Sequence, residues 1–244
     1  MKTPPEVNEV VKRSFDVLEK VLVERSQLKN DDNIQLSFIF RHAENIFQLG
    51  QDVIFLVESD RSRSCPILTR VMLEGLFKLV AAFNGDTTAI EITISEFEED
   101  CDRMSKWLDP KIYTPIVEEL SKMAESLRKD FSITSNKKWT TLACAEASKL
   151  EGNYRDAYFH LSSHTHATVT GITVQETTAS TGYVIQILIF TVLCAAIHLT
   201  HVQLTKESQA NKGECERLGD KWVHLMNSGV FARMDLPENV SARL

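Results

Sequence analysis

Residues 154–166 bring together Tyr154, Arg155, Asp156, Tyr158, Ser162, Ser163 and three of the chain's 7 histidines, His160, His164 and His166. Histidine titrates near neutral pH and can give or take a proton, arginine can hold an anion, and hydroxyls can orient either one. On an α-helix advancing about 100° per residue, Arg155, Tyr158, Ser162 and His166 fall at about 0, 300, 340 and 20° and make one polar stripe. The same residues also have a purely structural reading, in which Ser162 and His166 cap the helix end and tie down the Thr-rich stretch that follows. His160 and His164, four apart, have a spacing that can chelate zinc. No Glu follows His160 in the protease pattern and no nearby Cys completes a tetrahedron, so no metal site and no cofactor are expected.

A second polar pair interrupts the apolar run 66–77, where Arg70 and Glu74 are four apart and share one face. Charges set among Leu68, Leu73 and Phe77 need matching partners, which a structural Arg–Glu bridge provides as well as a functional site does. Arg41, beside His42 in the preceding apolar pattern, could join that face. His198 and His201 lie in the most apolar part of the chain and are expected to be core histidines bonded to neighbours.

The elements that must position these residues read as helices. Apolar side chains recur at three- and four-residue spacing, and only 9 Gly and 6 Pro interrupt them. Residues 5–28 predict a first helix with Val7, Val10, Val11, Phe15, Leu18 and Val21 on one side, and 34–57 a second. A third runs from Pro66, capped by Ser64, to about Phe83, where Asn84-Gly85-Asp86 stops it. Residues 89–97 alternate like a strand, but no second strand exists to pair with it, so a helix is preferred. Further helices are expected over 110–129, 139–150, 154–166, 183–204 and 214–227, with polar breaks at 30–33, 60–64 and 132–138, a Thr-rich loop at 168–181 and a frayed tail from 235. The plan is an all-α bundle around a long buried apolar helix, in three stretches: 1–33 as N-terminal helix and turn, 34–206 as helical core, 207–244 as amphipathic helix and tail.

Composition narrows the function. A formal charge of −7 argues against a protein that coats nucleic acid through a broad cationic face. Five cysteines stand singly, without zinc-site pairing or a disulfide framework, and with no apolar leader at the N-terminus they predict a reducing, cytoplasmic location. Residues 177–205 carry no formal charge over 29 positions, long enough to cross a bilayer. Gln186, His198, His201 and Gln203 would each be costly in lipid and no basic flank sets an orientation, so a buried helix is expected and membrane association is not.

The block 69–74, holding Arg70 and Glu74, followed some eighty residues later by Tyr158, Leu161, Ser162 and His166, resembles the paired motifs of the helical family catalogued as domain of unknown function 5677. The resemblance covers roughly residues 34–204 and implies a functional face of Arg70, Glu74, Tyr158, Ser162 and His166. That family is distantly similar to the HEPN helical domains of RNases, toxins and antiviral defence proteins. Their arginine, polar residue and histidine signature matches Arg155, Asp156 and His160 with four residues between arginine and histidine. The resemblance implies a HEPN-like bundle, a homodimer, RNA as substrate and an antitoxin or defence protein as partner. Metal-independent RNA cleavage needs a base for the ribose 2′-hydroxyl and a cation for the phosphate. His160 or His166 would serve as acid or base, Arg155 or Arg70 as phosphate clamp, with Glu74 beside it and Tyr158, Ser162 and Arg41 toward substrate. In a regular α-helix Arg155 and His160 stand about 140° apart, so they could converge only across a dimer interface or at a distorted turn. The alternative is a non-catalytic helical module that uses the same face to bind a protein or a small molecule.

Overall fold

The computed structural model describes residues 3–27, 33–59, 61, 64–163, 181–202 and 206–234, and among these no strand occurs. The helices are α1 (Pro5–Gln27), α2 (Ile34–Glu58), α3 (Cys65–Asn84), α4 (Thr88–Trp107), α5 (Pro110–Asp130), α6 (Thr141–Ala147), α7 (Glu151–Asn153), a π turn (Tyr154–Tyr158), α8 (Phe159–Ser163), α9 (Thr181–Val202), α10 (Lys206–Asn227) and α11 (Val230–Arg233).

Local chemistry explains where several of them begin. The side chain of Asn33 accepts from the Leu36 N–H at 3.1 Å to open α2, that of Asp109 from the Lys111 N–H at 2.8 Å just before Pro110 in α5, and that of Thr140 from Ala143 to open α6. Ser64 does occupy the cap position of α3, but its side chain makes no cap hydrogen bond there. Residues 89–97 are helical, because Ala89, Ile90, Ile92 and Ile94 are all buried against neighbouring helices. The residues before α6 are tied to α4 by Trp139, whose indole N–H donates to Glu91 at 3.1 Å and whose backbone N–H donates to Ser95 at 3.0 Å.

At the centre lies α9, packed against α1, α2, α3, α10 and α11. It is long and apolar enough to span a membrane, yet 67% of its most apolar window is buried inside the protein. Its polar groups are met locally. Thr191 donates to the Ile187 carbonyl at 2.8 Å, His198 Nδ1 lies 2.7 Å from the Cys194 carbonyl, and His201 Nδ1 lies 2.8 Å from that of Ile197. A helix buried on nearly every side needs apolar residues all round, which is why no polar face shows in its sequence. The helices α2 and α3 form a hairpin against α9, and α1 packs with α10 as well. Gly50 lets α2 approach Phe15 of α1, where a Cβ would stand 2.5 Å from the ring's Cζ.

Candidate functional site

Along α3, Arg70, Glu74 and Lys78 succeed one another at four-residue intervals and so share one face of the helix. Each finds its partner on another element. The π turn delivers Tyr158, whose hydroxyl donates to Glu74 Oε1 at 2.5 Å and accepts from Arg70 Nη2 at 2.9 Å. Arg70 Nη2 also reaches Glu74 Oε1 at 3.0 Å, closing a triangle of charge-assisted bonds. The guanidinium carbon lies 5.1 Å from the centre of the Tyr158 ring, and Tyr154 stacks on that ring at 4.9 Å. Lys78 meets Glu96 of α4 at 2.5 Å.

The electrostatics follow from burial set against these partners. Burial alone would lower the Arg70 guanidinium, but the hydrogen bond it donates to Tyr158 and the charge of Glu74 raise it. Burial and the Glu74 bond push the Tyr158 hydroxyl up, so it keeps its proton and acts as a donor rather than a base. Burial pushes the Cys144 thiol, in the field of Lys78, up to about 11, which rules it out as a nucleophile at neutral pH.

His42 of α2 belongs to the same neighbourhood, its Nδ1 lying 3.8 Å from where a Cβ would stand on Gly75. Burial first, then the charges of Lys78 and Arg41, lower it to about 4 from 6.5. Between those two values the unfolded chain binds a proton that the folded one refuses, so stability falls as pH drops through that window. The shift corresponds to about 3 kcal/mol at most. We expect denaturant midpoints to decline from pH 7.5 toward pH 4.5, and the decline to shrink in His42→Gln. An unchanged slope in that variant would contradict the burial of a neutral His42.

The other residues singled out in the sequence are distributed as follows. Arg155 and His160 are both exposed, and the His160 ring meets Tyr183 of α9 edge-on at 5.1 Å. Burial first, and then the charge of Asp156, raise the Tyr183 hydroxyl. Ser162 is half-buried. Arg41 is exposed on α2 and takes no part in the Arg70–Glu74–Tyr158 bonds, although its charge is felt at His42. His164, His166 and the loop 168–180 lie outside the described residues.

The expected stripe of Arg155, Tyr158, Ser162 and His166 assumed a continuous α-helix, and that register is broken. The Phe159 N–H bonds back to the Tyr154 carbonyl, five residues earlier. A π turn absorbs one extra residue, so Arg155 and His160 take the relation of residues four apart in an α-helix, about 40° rather than about 140°. Tyr158 meanwhile turns inward. The distorted turn thus brings Arg155 and His160 to one side within a single chain. Lys78, Glu96 and His42 are not among the site residues read from the sequence, while a distorted turn is one of the two ways left open there for Arg155 and His160 to converge. Lys78 had a visible signal, since it continues the Arg70–Glu74 spacing in an apolar helix, whereas nothing in the residue pattern marks the turn. Among the described residues no three His, Cys, Asp or Glu side chains gather as metal ligands.

These features define an all-helical protein with a partly buried Arg–Glu–Tyr triangle supporting a π turn. Residues 36–179 match the model of a family of unknown function (DUF5677), and the chain belongs to that family. No curated protein and no solved structure matches it.

Proposed function

We propose that this chain is a HEPN-like helical protein of bacterial defence or toxin type, cytoplasmic and homodimeric, that cleaves RNA without a metal. The observation that supports it is the π turn, which sets the exposed Arg155 and His160 on one side beside Asp156. In this reading neutral His160 takes the proton from a ribose 2′-hydroxyl. The freed oxygen attacks the adjacent phosphorus to close a 2′,3′-cyclic phosphate, Arg155 offsets the charge gathering on the phosphate oxygens, and the P–O5′ bond breaks as the 5′-oxygen takes a proton from water, His160 returning its own to solvent. Arg70, Glu74 and Tyr158 act as positioning residues that hold the turn in shape. An antitoxin or defence protein would mask the exposed side.

RNA incubated with the purified protein in EDTA is expected to give fragments ending in a 2′,3′-cyclic phosphate. His160→Ala and Arg155→Ala should each slow this by about 10²–10⁴-fold. No cleavage by the parent, or equal cleavage by parent and variants, would sink the proposal. The charge of −7 favours a second reading, a non-catalytic module that binds a protein or small-molecule partner at the same side. An inactive parent whose Arg155→Ala variant loses a partner captured by the parent would point there.

A further inference from the structure

We propose that Phe159 is a base-stacking residue of the site: the substrate is single-stranded RNA, and the stacked base belongs to the nucleotide on the 3′ side of the cut. The inference rests on the nuclease reading and adds to it a substrate class and a strand direction. Phe159 opens α8 with 72% of its surface exposed. The exposed residues of 151–162 are Glu151, Gly152, Arg155, Asp156, Phe159 and His160, and among them Phe159 alone carries an apolar side chain. The chain on either side of it is anchored, Tyr158 by its bonds to Glu74 and Arg70 and Leu161 by complete burial. The ring therefore projects from a turn already held in shape, and a flat partner laid on it need order little else.

The π turn sets His160 about 40° past Arg155, so Phe159, one residue earlier, falls about 60° before it. Arg155 thus stands between the other two, and the three Cα atoms lie within about 6 Å of one another. A cleaved RNA strand presents a matching succession: the ribose that loses its 2′-hydroxyl proton, the phosphate under attack, and the nucleoside that departs with its 5′-oxygen. With the first at His160 and the second at Arg155, the third reaches Phe159. The carboxylates of the same stretch leave that ring face open, since Asp156 lies about 160° around the helix from it and Glu151 about 10 Å back along the axis.

Stacking also suits the charge of the chain. At −7 it has no broad cationic face to draw a polyanion, so affinity must come from contacts that do not depend on charge. Every base offers a π face to an aromatic ring, which makes such a contact tolerant of sequence. A duplex keeps those faces within its own stack, so an exposed phenylalanine selects unpaired strands.

Steady-state cleavage of oligonucleotides that carry a single ribonucleotide in a 2′-O-methyl background tests this, because only one bond can then be cut. Phe159→Ala is expected to raise KM about tenfold with kcat within about threefold of the parent. Its urea midpoint should be unchanged, since the ring is exposed. Phe159→Trp should keep the parent's KM, and Phe159→Leu, apolar but unable to stack, should match Phe159→Ala. An abasic nucleotide on the 3′ side of the cut should cost the parent the same tenfold and Phe159→Ala nothing more, whereas one on the 5′ side should leave the two proteins as different as before. A complementary strand annealed over the site should suppress cleavage. A parent that cleaves while Phe159→Ala keeps its KM, a 3′ abasic cost equal in the two proteins, or a duplex cut as fast as the single strand would overturn the stacking and leave the nuclease reading standing. A parent that cleaves nothing would remove both.

Discussion

Gly182→Ala is expected to destabilise the protein by about 3 kcal/mol and lower its Tm by roughly 6–12 °C. Gly182 opens α9 where that helix passes directly beneath the backbone of α11. A Cβ there would fall 2.7 Å from the carbonyl carbon of Phe231 and 3.1 Å from its Cα. Main-chain atoms cannot swing aside as a side chain does, so α11 would have to lift. Val230, Phe231 and Met234, now 4%, 5% and 6% exposed, would lose their contacts with the core. Gly219 of α10 is the control, because a Cβ there meets nothing within 4 Å. Gly219→Ala should be neutral or stabilising by up to about 1 kcal/mol. Urea unfolding of the two variants distinguishes them, and a Gly182→Ala protein as stable as its parent would show that α11 does not depend on this approach.

The second large effect concerns Glu74. Its Oε1 accepts from both Arg70 and Tyr158, so Glu74→Ala removes one acceptor and strips two donors at once. With the Arg70 and Glu74 side chains each 23% exposed, the expected loss is about 3 kcal/mol, toward the lower end of what breaking a buried pair costs. Tyr158→Phe leaves the ion pair in place and should cost only about 1 kcal/mol. Replacing both charges, Arg70→Met with Glu74→Leu, should recover much of the loss. Chemical denaturation of the three variants reads this order directly, and a Glu74→Ala cost no larger than that of Tyr158→Phe would refute the shared-acceptor arrangement.

The helical class was legible because three- and four-residue apolar spacing runs through nearly every segment. The bounds of α1 and α2 lie within a residue of those read from the sequence, since Pro5 and Asn33 mark their starts chemically. Residues 89–97 show where pattern alone misleads: their strand-like alternation is a helix buried on adjoining faces. The Arg70–Glu74 pairing was legible from its spacing and Tyr158 beside it from the family resemblance, whereas the π turn that carries Tyr158 inward had no signal in the residue pattern. Reading a stripe presumes a constant advance per residue, and one π turn resets the register for everything after it. Lys78 and Glu96 lie on separate helices, so only the tertiary fold brings them together.

The central place of α9 bears on how the chain is made. Helix α1 leaves the ribosome well before two of the helices it packs on, α9 and α10, which follow it by more than a hundred residues. At about 5–20 residues per second, the apolar side of α1 waits roughly 10–40 s for its covering helix to be synthesised. Over that interval Val7, Val10 and Leu18, all but fully enclosed in the finished protein, remain open to chaperones and to neighbouring nascent chains.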